Sequence, residues 1–232
     1  MSIKVCNLKK RYMIGKNEIF ALNNVSFEIN KGSFAVILGP SGSGKSTLLN
    51  ILGGIDKADE GKIIIDDEEI TKYSDEKLTE YRRNYVGFIF QFYNLVNTLN
   101  VYENVCSTAV LSKNSLDVEE ILDVIGLKAH KRKFPYELSG GEQQRVAIAR
   151  AIVKNPKMIL CDEPTGALDY ENAKNILSIL RNINQKYNTT VFLVTHNVAI
   201  SKMADVIIRL RSGEIIDYIL NEAPLKAEEV EW

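Results

Sequence analysis

The chain has 232 residues, 45% of them hydrophobic and 25% charged, an ordinary globular composition at a length that suits one large α/β domain. Its 29 basic and 30 acidic residues leave a formal charge of −1, which excludes an overall basic field able to hold a nucleic-acid backbone. No stretch approaches the roughly 18 to 20 apolar residues that span a bilayer, so any link to a membrane is expected to come through a partner.

In chain order, residues 1–12 carry Lys4, Lys9, Lys10 and Arg11 without an apolar run, which argues against a secretory signal and for a protein that is not exported. Val25, Phe27 and Ile29 alternate with polar residues as a half-buried strand does, and 34–38 is apolar without a break, as in a fully buried strand. A glycine-rich segment, 39–44, follows, and Leu48, Leu49, Ile51 and Leu52 predict a helix after it. Strands at 63–65 and 86–90 complete a strand-rich half. From about 100 to 153 the period becomes helical, most clearly at Val118, Ile121, Leu122 and Ile125. Buried-strand runs return at 158–161, 190–194 and 206–210, alternating with a helix that carries Ile176, Leu180 and Ile183. Strands alternating with helices predict parallel βαβ units, and 221–232 reads as a short helix or tail. Cys6, Cys106 and Cys161 are odd in number, far apart and without metal-ligand spacing, so they read as reduced thiols packed as small hydrophobes.

Gly39-Pro40-Ser41-Gly42-Ser43-Gly44-Lys45-Ser46 fits the phosphate-loop pattern G-x-x-x-x-G-K-[ST] in the required context, after a buried strand and before a helix. Its glycines let backbone N–H groups curl toward phosphates at the positive end of the helix. Lys45 supplies a point charge for the β- and γ-phosphates, and the Ser46 hydroxyl is a ligand for Mg²⁺. Asp162, at the end of an apolar strand, is the carboxylate expected on the metal side. Glu163, beside it, is the candidate base for the attacking water. Leu138-Ser139-Gly140-Gly141-Glu142 opens a helix with a hydroxyl and bare N–H groups, a second anion-binding edge in the same chain.

That second segment resembles the signature sequence of ABC ATPases, and residues 143–151 resemble the helix that follows it in the family. The resemblance implies a P-loop NTPase fold with a mostly parallel core sheet, an N-terminal antiparallel β part and an inserted α-helical subdomain. As a single domain spanning 1–232, it implies a core of about 1–91 and 156–232 and a helical subdomain of about 92–155. It implies a head-to-tail homodimer that sandwiches two ATP molecules, with Ser139, Gly140, Gly141 and Glu142 of one subunit facing the phosphate loop of the other. It also implies Gln91 as the Q-loop glutamine, on the metal and the attacking water, Thr47 as a further phosphate contact, 167–169 as the D-loop and His196 as the switch histidine. Tyr12 stands where an aromatic stacks on adenine. His130, beside Lys131, Arg132 and Lys133, reads instead as a solvated basic turn. Within the family, residues 41–54, 87–95 and 164–169 are similar to the macrolide-exporter (MacB-type) and lipoprotein-release (LolD-type) ATPases, with Ala167 leaning toward the exporter branch. The implied partner is a MacB/FtsX-like integral-membrane permease, which would hold this chain at the cytoplasmic face of the membrane. The competing class is an ABC-type ATPase of nucleic acid or cell division. The 94 positions between Lys45 and Ser139 leave no room for a long coiled coil, and the near-zero charge also disfavours it. A P-loop kinase would leave 138–142 and His196 unexplained.

Overall fold

The computed structural model describes residues 2–15 and 17–231. Met1 and Trp232, the outer ends of the segments expected at 1–12 and 221–232, lie outside the described residues. Strands β1 (Ser2–Ile14) and β2 (Asn17–Asn30) form an antiparallel pair, and β3 (Phe34–Leu38) leads into helix α1 (Lys45–Leu52). Next come β4 (Glu60–Ile65), β5 (Glu68–Glu69), α2 (Asp75–Tyr85) and β6 (Val86–Ile89). Three helices follow, α3 (Val101–Ala109), α4 (Val118–Val124) and α5 (Gly140–Ile152). The chain ends with β7 (Met158–Asp162), α6 (Tyr170–Tyr187), β8 (Thr190–Thr195), β9 (Val206–Arg211), β10 (Glu214–Leu220) and a 3₁₀ turn at Ala227–Glu229.

The strands make a four-stranded antiparallel sheet, β2-β1-β4-β5, and a six-stranded sheet, β10-β9-β3-β8-β7-β6. In the larger sheet only β10 runs antiparallel to its neighbour. The unbroken apolar run of β3 has a direct cause. Phe34, Val36 and Leu38 enter one core with α3 to α6, while Ala35 and Ile37 enter a second core with α1 and the antiparallel sheet. A strand covered on both faces cannot alternate with polar residues. β2 does alternate, burying Val25, Phe27 and Ile29 and exposing Ser26, Glu28 and Asn30, because one of its faces meets water.

Three features depart from the expected elements. β6 ends at Ile89, leaving Phe90 beyond the ladder. The strand-rich half contains an eleven-residue helix, α2, which buries only Leu78 and Tyr81. So narrow an apolar stripe leaves little periodic signal, and α2 is instead marked by its Ser74 cap, by Asp75 and Glu76 in the first turn and by Arg82 and Arg83 in the last. β10 exposes Ile216 and Leu220, so a buried-run criterion passes over it. No helix among the described residues is long and apolar enough to cross a membrane.

The parallel arrangement positions the site. β3, β6, β7 and β8 all point the same way, so the segments that leave their carboxyl ends, at Gly39, Gln91, Asp162 and His196, gather at one edge of the sheet.

Candidate nucleotide site

A cavity of about 730 Å³ opens at that edge, lined by Tyr12, Ser41, Gly42, Gly44, Lys45, Ser46, Thr47, Gln91, Asp162, Glu163 and His196. Gly44 caps α1 at φ 100°, and a Cβ there would stand 2.2 Å from the Ala21 carbonyl oxygen, so both conformation and space require glycine. Lys45 is buried, and its ammonium donates to the carbonyls of Gly39 and Pro40, each at 2.8 Å. Two of its three donors thus brace the loop, and the third is left for an anion in the cavity.

Ser46 Oγ donates to Asp162 Oδ1 at 3.1 Å. Burial pushes the Asp162 carboxyl above the usual carboxylate range, and the neighbouring Glu163 adds to that, against the Ser46 hydrogen bond and Lys45. A half-buried carboxylate beside a hydroxyl is a hard-oxygen pair that a divalent cation would stabilise. Among the described residues no group of three or more His, Cys, Asp or Glu side chains could hold a metal. This donor set fits Mg²⁺, which keeps phosphate oxygens and water in most of its shell.

Glu163 adopts φ 48°, the left-handed region, which is strained for a residue with a side chain. Its N–H is held by the Val194 carbonyl at 3.1 Å, so the end of β8 stabilises the turn. The Glu163 carboxylate lies 2.9 Å from His196 Nδ1, on an imidazole that is otherwise largely exposed. Tyr12 borders the cavity with 42% of its surface exposed.

The second anion edge is elsewhere. Ser139 caps α5, accepting from Glu142 N at 3.3 Å, while Glu142 Oε2 accepts from Ser139 N at 2.8 Å. Among the described residues, none of 138–142 lines the phosphate-loop cavity. Within one chain, then, the two edges are not brought together. His130 is not the solvated turn expected of it: its Nδ1 lies 2.8 Å from Glu142 Oε1, because the 3₁₀ turn at Lys128–His130 folds against the start of α5. Residues 22–166 match the family model described as ABC transporter. The chain belongs to the ABC transporter ATP-binding family.

Relatives of this cassette include the ABC transporter ATP-binding protein MG467 of Mycoplasma genitalium, 45% identical over 87% of this chain and 66% of that protein. The macrolide export protein MacB of Mannheimia succiniciproducens is 42% identical over 93% of this chain and 34% of its own length. The methionine import protein MetN 1 of Staphylococcus aureus is 38% identical over 93% of this chain and 64% of its own length. The chain spans from half to about two-thirds of the Mycoplasma relatives that it matches. Among solved structures, dimeric MJ0796 of Methanocaldococcus jannaschii, bound to ADP and Pi, is 39% identical with a TM-score of 0.86, over 95% of this chain and 99% of that one. The P-loop fold, the nucleotide-binding class and the ATPase class stand with that membership. Two supports of the site escaped the motifs: Asp56, which accepts from the Tyr12 hydroxyl at 2.6 Å, and Gln144, buried on α5. Asp56 carries no sequence signal; Gln144 does, as a polar residue in a helix register otherwise filled by Gly141, Ala147, Ile148 and Ala151.

Proposed function

We propose that this cassette binds and hydrolyses ATP with Mg²⁺ as one half of a homodimer around two nucleotides, and that it drives a separate permease of the MacB/FtsX-like type in export. The observation that carries the proposal is one cavity in which Lys45, the Ser46–Asp162 pair and the Glu163–His196 pair converge while Ser139 stands outside it. Under this reading, 39–47 cradle the phosphates, with Lys45 meeting the charge that develops on the γ-phosphoryl group. Ser46, Asp162 and Gln91 hold the metal, which screens the phosphate charge when bound. Glu163 takes the proton of the attacking water, oriented by His196, and Gln91 fixes that water from the far side. A dimer supplies the missing edge, Ser139 to Glu142 of the second copy meeting the γ-phosphate.

Export rests on Ala167 and on the resemblance to MacB. The identity with MetN, named for import, supports import as the second reading. Either direction places the protein at the cytoplasmic face of a membrane through its permease. The test of the core reading is Glu163→Gln, in which the amide keeps the shape and cannot accept the proton. Turnover should fall about 10²- to 10⁴-fold, ATP should still bind, and size-exclusion chromatography with ATP should show a stable dimer. Turnover above about a tenth of wild type removes Glu163 from the role.

A further inference from the structure

Gln144 on α5 is 0% exposed. Its Nε2 donates to the Pro164 carbonyl at 2.9 Å and to the Phe90 carbonyl at 3.4 Å. Pro164 directly follows Glu163, and Phe90 directly precedes Gln91. A single amide on α5 therefore ties down the chain next to both Gln91 and Glu163, the two side chains that the proposed function sets on the attacking water.

The rest of the amide shows what it is held for. Its Oε1 is buried and has no hydrogen-bond partner among the described residues, an arrangement that fold stability alone disfavours. The donors are used and the acceptor is left unpaired. The same helix grips the segment after Gln91 at two further points. Arg150 donates to the Asn94 carbonyl at 2.6 Å, and the Tyr93 hydroxyl stands 2.8 Å from where a Cβ on Gly140 would lie. Residues 90–94 are thus laid along α5 from its first turn to its last, and Gln144 also reaches the Glu163 side.

We propose that Gln144 is a positioning residue: it sets the separation of Gln91 and Glu163 and ties that separation to the placement of the signature helix. The inference rests on the hydrolytic reading of Glu163 and Gln91. Loss of the amide donors would let Phe90 and Pro164 move apart while the phosphate loop, which Gln144 does not touch, stays intact. Geometry errors of about 1 Å cost about 10²-fold in rate, so the effect belongs to kcat and not to nucleotide affinity.

The experiment is Gln144→Met, similar in length and without donors, measured for kcat, KM and ATP affinity alone and combined with Glu163→Gln. The expected result is a kcat lowered about 10- to 100-fold with KM and affinity within about twofold. Added to Glu163→Gln, the change should cost less than it does alone, because one of the two groups it positions is already gone. Should Gln144→Met fold poorly, Gln144→Asn keeps the donors on a shorter arm and is read by the same split. A wild-type kcat in a folded variant, or equal losses in kcat and affinity, overturns the inference while leaving the hydrolytic reading intact. Full turnover by Glu163→Gln alone overturns both.

Discussion

Tyr12 is held at the mouth of the cavity by neighbours more than by burial. Its hydroxyl donates to Asp56 Oδ2 at 2.6 Å, Lys10 Nζ bonds Asp56 Oδ1 at 2.7 Å, and the same ammonium sits 5.1 Å from the ring centroid. Burial and the Asp56 carboxylate raise the phenol above its ordinary value, so the hydroxyl stays a donor at neutral pH. A ring fixed in this way loses little freedom when a base stacks on it. Tyr12→Ala should weaken ATP and ADP equally, by about 1 to 3 kcal/mol, the range of base–aromatic stacking. Tyr12→Phe keeps the ring, gives up only the Asp56 bond and should remain within about 1 kcal/mol of wild type. Calorimetric titration of both nucleotides checks this, and unchanged affinity in Tyr12→Ala would leave the tyrosine a packing residue. At this scale the sequence was legible where chemistry demands a residue type in a fixed register, as at Lys45, Ser46 and Asp162. It was silent on a partner distant along the chain such as Asp56, because a hydrogen bond between remote positions leaves no local pattern.

Just past α5, Lys154 joins elements rather than a ligand. Its ammonium donates to the Arg82 carbonyl at 3.0 Å and to the Val86 carbonyl at 2.8 Å, one in the last turn of α2 and the other at the start of β6. Burial lowers its pKa to about 8. Between about pH 8 and 10.4, the unfolded chain keeps this proton and the folded chain releases it, so stability attributable to Lys154 rises with pH across that window. Lys154→Met should abolish the rise, which partial exposure limits to about 2 kcal/mol. Urea midpoints of both proteins at pH 7.5 and 10 measure it as a difference, and identical pH dependence would refute it. Elements were legible in proportion to how much they bury. β3, β7 and β8 run through two cores and were plain; α2 and β10 each leave much of their length in water, and their apolar signal was correspondingly weak. Cap chemistry at Ser74 could have marked α2, since Asp75, Glu76, Arg82 and Arg83 follow the helix dipole.

In the whole molecule the loop at Lys45 lies in the cavity and the cap at Ser139 outside it, and the proposed dimer is what would join them. Mixing a Lys45→Ala chain with a Ser139→Arg chain should therefore restore activity, because each mixed dimer holds one site with both lesions and one with neither. Normal hydrolysis by a strictly monomeric wild-type protein would defeat this. The order of the site along the chain was legible from the motifs, and its separation into two edges was implied by the resemblance; in the structure 138–142 lie outside the cavity, as that separation requires. Force transmission belongs to the same scale. After Gln91, Leu95 packs on the core shared with the helices, whereas Phe92 is 74% exposed and Val96 41%. Beside them a groove of about 200 Å³ is lined by Phe88, Phe90, Tyr93, Asn94, Thr108 and Arg150. Exposed aromatic surface next to an apolar groove is what a partner helix covers. Its position one residue from Gln91 would convert a change at the γ-phosphate into motion of whatever is docked. Phe92→Glu combined with Val96→Glu should leave the ATPase of the isolated cassette within about twofold of wild type, because neither side chain lines the nucleotide cavity. The same change should abolish pull-down of the permease, since charge at a desolvated aromatic anchor costs on the order of 2 kcal/mol or more. Full permease binding by the double variant would place the docking surface elsewhere on the cassette.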